Sequence, residues 1–347
     1  MRKVQKHPAV PERLVVEHSL PFDPTCGYDL PALLAIEPPP DVPDDYEAFW
    51  RETYARAREL DGRLRVERRT LERTPSGVEL QELEYDTWDG FRSGGWLARP
   101  ASDAPRGLIV QGHGYGGREG CDLSWALRGY AVLQPCAIGF HRSACAAVPN
   151  LSSGHVLCGI ESKERYILRA CTAQLWHAAS VLQELFPDLK ERLFYDGGSF
   201  GGGLGAFMLA WDRRYKAATL GVPTFGHHPI RLRFPCSGSG ESVRLYGLKR
   251  PGVIEVLRYY DASTAATFIT CPVMASVALF DPAVIPPGQF SVANALRNPD
   301  SVTCVISHGH YEVPHKVIAP EVAAAMARMP VEWLVELGCQ AGEDATA

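Results

Sequence analysis

A chain of 347 residues with 46% hydrophobic and 22% charged residues has the composition of an ordinary globular protein with ample material for a large core. Its 35 basic and 40 acidic residues, a formal charge of −5, are spread along the chain, which argues against nucleic acid or an anionic membrane as partner and for a neutral or modestly charged small molecule. Ten scattered cysteines without C-x-x-C pairs supply none of the usual zinc or redox frameworks and read as buried, reduced thiols.

The opening MRKVQKHPAVPERLVVEH lacks the apolar run of a signal peptide, and no later stretch reaches the roughly 18 apolar residues of a membrane span, so a cytoplasmic protein is expected. Residues 1–43 are rich in proline and read as an extended N-terminal arm. From 44 to 60, Tyr46, Phe49, Trp50 and Tyr54 recur at helical spacing, which predicts an amphipathic helix. Residues 64–99 alternate apolar and polar side chains around a Trp88-Asp89-Gly90 turn, an antiparallel opening to a sheet.

From 107 onward the pattern becomes strand, loop, helix, strand. Short apolar runs stand at 107–110, 130–133, 193–195, 217–220, 273–280 and 302–306. Helical stretches are expected near 123–127, at 161–185, from about 200, at 290–297 and at 320–337. Such alternation implies an α/β protein with a mostly parallel central sheet flanked by helices, as a single domain over 44–338. Residues 223–261 interrupt the pattern and read as a cap or interface insertion, and 339–347 as a flexible tail.

The strongest local signal is an apolar strand that runs through Gly197-Gly198-Ser199-Phe200-Gly201 into a helical segment. A G-x-S-x-G turn in that context presents a serine at the carboxyl edge of a sheet, where the following helix's amino terminus favours developing negative charge. A hydroxyl needs a histidine to take its proton and a carboxylate to orient that histidine, in the chain order Ser, acid, His. Asp281 closes the apolar run 273–280, and the run 302–306 empties into Ser307-His308-Gly309-His310. His310 is the favoured base, with His308 as its alternative; metal ligation by His308, His310 and Glu312 lacks a fourth ligand, and no metal is expected.

Two backbone donors should meet the oxyanion, that of Phe200 and that of Tyr115 in the turn Gly112-His113-Gly114-Tyr115-Gly116-Gly117. The same turn spells G-x-G-x-x-G, but the next strand ends in Gln134-Pro135-Cys136 with no acid for a ribose hydroxyl, which disfavours a dinucleotide site. Phe140 and His113 are the candidates for the pocket wall. The expected chemistry is acyl hydrolysis of a small-molecule ester; an amidase, an acyltransferase or a non-catalytic binding protein on the same scaffold are the competing readings.

Taken together, Asp45-Tyr46-Glu47-Ala48-Phe49-Trp50, Gly94-Gly95-Trp96-Leu97, His113-Gly114-Tyr115, Gly197-Gly198-Ser199-Phe200-Gly201-Gly202-Gly203 and Leu279-Phe280-Asp281 resemble the acetyl xylan esterase and cephalosporin C deacetylase family of α/β hydrolases. The resemblance implies a triad of Ser199, Asp281 and His310, oxyanion donors at Tyr115 and Phe200, deacetylation of small sugar or antibiotic esters, no cofactor, and a ring-like homo-oligomer, often a hexamer. This chain departs from the family's pattern at Phe200, where glutamine is usual, at Ile138-Gly139-Phe140, where Arg-Gly-Gln is usual, and at Tyr311, which splits a His-Glu pair. All three changes make the site more apolar or rearranged, which opens it to acyl or aryl groups larger than acetyl.

Overall fold

Residues 3–312 and 318–343 are described by a computed structural model, with the side chains of 339–343 left aside. Ten strands, β1 (Lys3–Lys6), β2 (Val66–Arg73), β3 (Val78–Asp86), β4 (Arg92–Pro100), β5 (Leu108–Gly112), β6 (Ala131–Pro135), β7 (Leu193–Gly198), β8 (Tyr215–Gly221), β9 (Val273–Phe280) and β10 (Val302–His308), form one sheet. Their order is β1-β10-β9-β8-β7-β5-β6-β4-β3-β2. Neighbours from β1 across to β6 pair parallel, and β4, β3 and β2 add an antiparallel flank.

The helices are α1 (Leu30–Leu34), α2 (Tyr46–Arg58), α3 (Ser152–His155), α4 (Ile167–Leu185), α5 (Phe200–Trp211), α6 (His228–Arg231), α7 (Ser239–Lys249), α8 (Ile254–Leu257), α9 (Ala262–Ala266), α10 (Pro286–Ala295) and α11 (Pro320–Glu343). This is the α/β-hydrolase architecture. All eight residues of β9 are buried, as a strand covered on both faces requires, and α5 is buried along its whole length beneath the sheet's carboxyl edge. The flank is the opposite case. β2 exposes Arg69 and Arg73, which pair with Glu82 and Glu79 on β3, and a charged edge of this kind discourages pairing with another chain.

Several elements differ from the sequence reading. The helix expected near 123–127 is a single 3-10 turn, Ala126–Arg128, because only one apolar turn separates β5 from β6. The N-terminal arm contributes β1 to the sheet, docks Val10, Leu14, Leu30 and Leu33 into the core, and forms the short α1 capped by Asp29. Residues 223–261 are mostly helical, holding α6, α7 and α8. α11 runs on to Glu343, past its expected end, so residues 339–343 of the expected tail are helical and 344–347 lie outside the described residues. No helix among the described residues is long and apolar enough to cross a membrane.

Candidate active site

The turn between β7 and α5 forces Ser199 to φ +56° and ψ −111°, a conformation that costs a non-glycine residue energy and persists only where its surroundings dictate it. Those surroundings are visible. Ser199 N–H donates to Gly221 O at 2.7 Å, and Gly201 N–H to His113 O at 2.9 Å, which ties the start of α5 to the turn after β5. A side chain at Gly201 would stand 2.9 Å from the Gly112 carbonyl carbon, so glycine is required for that approach.

Asp281 follows β9 with none of its surface exposed. Its Oδ1 accepts from the backbone N–H groups of Ala283 and Val284, each at 2.9 Å, and its Oδ2 accepts from Gln289 Nε2 at 3.0 Å. His310 Nδ1 donates to Asp281 Oδ2 at 2.9 Å, and its Nε2 lies 3.0 Å from Ser199 Oγ. With Nδ1 holding its proton against the carboxylate, Nε2 is left to accept from the serine hydroxyl. The hydrogen bond to Asp281 raises the His310 pKa above its ordinary 6.5, against the pull of partial burial, and the carboxylate's charge adds to the rise.

Gly309 explains how the two histidines of this loop part ways. Any side chain there would collide with Asp281 Oδ2, so the chain passes directly over the carboxylate and delivers His310 to it. His308 turns aside to Ser307 Oγ at 2.8 Å, and burial lowers its pKa. It is His310, not His308, that joins the hydrogen-bonded chain.

On the other side of the serine, Phe200 is the first residue of α5, so its N–H is among those without an acceptor inside the helix. The turn bearing Tyr115 lies alongside, since a Cβ on Gly114 would be 3.9 Å from Ser199 Cβ. Arg118 steadies this turn, reaching Gln134 Oε1 at 2.6 Å and the carbonyls of Gln111 and Gly112 at 3.4 Å.

The two pocket candidates are a correction. Phe140 is 3% exposed and packs on the His155 ring at 4.8 Å, and His113 is 7% exposed with both ring nitrogens committed. His113 Nδ1 donates to Gly114 O at 2.6 Å, while Nε2 accepts from Ala137 N–H at 2.8 Å. Burial pulls its pKa down to about 4. Both residues are therefore packed inside the fold and offer little surface to a substrate. The Phe200 ring is likewise fully buried.

Sequence reasoning also missed three buried polar residues around the site. Gln289 on α10 donates to Asp281 Oδ2 and Val284 O and accepts from Ala278 N–H, so it positions the acid from both sides. His155 on α3 contacts the turn after β5, with Tyr115 Oη 3.1 Å from its Nδ1. Arg231 on α6 lies over Phe225, within reach of His228 Nδ1 and Thr224 Oγ1, each at 3.3 Å. Their one sequence signal is a polar residue amid apolar neighbours. Among the described residues no group of three or more His, Cys, Asp or Glu is placed to hold a metal ion. A groove of about 690 Å³ lined by Arg106, Leu127, Arg128, Val331 and Val335 sits at the amino ends of β5 and β6, the edge of the sheet away from Ser199; size alone would mislead here.

Fold and site together define an α/β hydrolase whose serine, histidine and aspartate are joined by hydrogen bonds at the carboxyl edge of the sheet. The chain belongs to the acetyl xylan esterase family, a family of carboxylic ester hydrolases, whose model matches residues 29–318. Among curated proteins it is similar to the acetyl esterase Axe7A of Xylanibacter ruminicola, 23% identical over an alignment of 289 residues, with coverage of 76% of this chain and 62% of that protein. It thus spans under two thirds of that relative's length. Among solved structures it is similar to an acetyl xylan esterase from Paenibacillus sp. R4, with TM-score 0.74, 22% identity and coverage of 86% of this chain and 99% of the other. Acetyl xylan esterase 1 from Thermoanaerobacterium sp. JW/SL YS485 gives TM-score 0.75 and 19% identity over 91% and 99%. At these identities the structural likeness speaks for the fold.

Proposed function

We propose that the protein is a serine esterase that removes small acyl groups, acetyl foremost, from a small-molecule ester. The observation that carries this reading is the unbroken chain from Ser199 Oγ through His310 to the buried Asp281. Ser199 Oγ attacks the ester carbonyl carbon while His310 Nε2 takes the hydroxyl proton, and Asp281 steadies the imidazolium that results. The carbonyl oxygen, now an oxyanion, is met by the backbone N–H groups of Phe200 and Tyr115 at the positive end of α5. His310 passes its proton to the departing alcohol oxygen as the C–O bond breaks, leaving an acyl-serine. Water repeats the sequence: His310 takes one of its protons, the hydroxide adds to the acyl carbon, and the acid leaves as Ser199 regains its proton.

Acetyl is the acyl group favoured by family membership and by the acetyl esterase relative. Ser199→Ala is expected to lower turnover of p-nitrophenyl acetate by at least about 10⁴-fold while leaving the far-ultraviolet circular dichroism and melting midpoint unchanged. Retention of activity by that variant would overturn the reading.

A further inference from the structure

Tyr115 and Phe200 stand on different elements, the turn after β5 and the first residue of α5, yet their rings lie face to face, with centroids 4.0 Å apart and planes 20° from parallel. Behind the pair, His155 meets the Phe200 ring edge-on at 5.8 Å and the Tyr115 ring at 5.5 Å. His155 Nε2 lies 2.9 Å from Ile138 O, and a carbonyl only accepts, so Nε2 carries the proton and Nδ1 is left to accept from the Tyr115 hydroxyl at 3.1 Å. Burial pulls the His155 pKa down to about 4 and raises that of the Tyr115 phenol, so the ring stays neutral and the phenol keeps the proton it donates.

We propose that this stack sets the separation of the two oxyanion donors, and that His155 is a positioning residue acting through Tyr115. The proposal rests on the reading above, in which Ser199 is the nucleophile and Tyr115 and Phe200 supply the backbone N–H groups. A backbone donor survives every side-chain substitution except proline, so nothing in its own chemistry calls for aromatic side chains at both positions. Position does. The turn carrying Tyr115 holds glycine at 114, 116 and 117 and is soft by composition, whereas the Phe200 N–H is fixed by α5. Stacking the side chain of the soft donor on that of the rigid one, and pinning its far end to His155, transfers the helix's rigidity to the turn. Misplacement of a catalytic group by about 1 Å can cost on the order of 100-fold in rate, which is the scale at stake.

Two variants test this, both keeping the Tyr115 N–H. Tyr115→Leu removes the ring, and Tyr115→Phe keeps the ring but removes the hydroxyl bonded to His155. With p-nitrophenyl acetate, kcat is expected to fall about 100-fold and about 5-fold respectively, with KM within about twofold of wild type. Affinity for phenylboronic acid, which becomes tetrahedral on a serine, should fall in each variant by the same factor as kcat/KM, a parallel that loss of stability alone would not produce. Wild-type kcat and boronate affinity in Tyr115→Leu, beside an inactive Ser199→Ala, would overturn the stack and leave the esterase reading standing. Activity in Ser199→Ala would overturn both. If Tyr115→Leu does not fold, Tyr115→Phe decides, and wild-type values for it overturn the proposal.

Discussion

The two sides of Ser199 use the same residue type to opposite ends. On one side His310 has 34% of its side chain open to solvent, is paired with a buried carboxylate, and has its pKa raised. On the other, His113 and His155 are buried, are paired with backbone carbonyls, and are pulled down to about 4. A carbonyl's dipole can fix a tautomer but cannot balance a full positive charge, whereas Asp281 can. Imidazole is therefore a proton carrier where a carboxylate stands behind it and a rigid strut where only carbonyls do.

The sharpest way to break this contrast is to remove the carboxylate's charge. Asp281→Asn is expected to lower kcat by about 10⁴-fold, and to shift the acid limb of kcat/KM downward. The base must be unprotonated to work, so activity in the wild type should rise with pH through a midpoint above 6.5, the direction in which Asp281 moves His310. A wild-type midpoint at or below 6.5 in a pH profile would contradict the pairing.

A smaller effect is expected one step further out. Gln289→Met removes a donor from Asp281 Oδ2, which leaves more of the carboxylate's negative charge to act on His310. The acid limb should move slightly higher, with kcat down by about tenfold and stability lowered by roughly 1–3 kcal/mol through the unpaired Ala278 N–H and Val284 O. Denaturant titration and the pH profile of the variant report the two parts separately.

The struts should show themselves in stability before activity. His113, His155 and His177 all have folded pKa values near 4, below the ordinary 6.5 that an unfolded chain would show. Between these values the unfolded chain binds more protons than the fold, so stability is complete above about 6.5 and is lost as pH falls toward 4. The melting midpoint is expected to drop by at least about 5 °C between pH 7 and pH 5. A flat midpoint across that range would count against neutral buried imidazoles.

Much of the geometry around Ser199 was legible in the sequence because it is local. The strand, the glycines and the helix that make the Ser199 turn are contiguous, and the ends of apolar runs mark where Asp281 and the histidine loop must emerge. What lay hidden depends on residues far apart in the chain. His155 meets Tyr115 across 40 positions, and Gln289 reaches Asp281 only because α10 folds back over β9. Phe140 and His113 misled for a related reason: the sequence brings them near the serine but says nothing of which side of the turn they occupy. The choice between His308 and His310 turned on Gly309, whose missing side chain matters only once Asp281 is placed above it.

The parallel pairing of β1 with β10 also constrains the order of events as the chain is made. Lys3 lies opposite Val302, so this edge of the sheet joins segments nearly 300 residues apart in sequence. At translation rates of roughly 5–20 residues per second, the N-terminal strand waits on the order of 15–60 s for its partner to be synthesised. Because β10 also leads into the His310 loop, the edge that receives β1 forms only once the segment that carries His310 has been made.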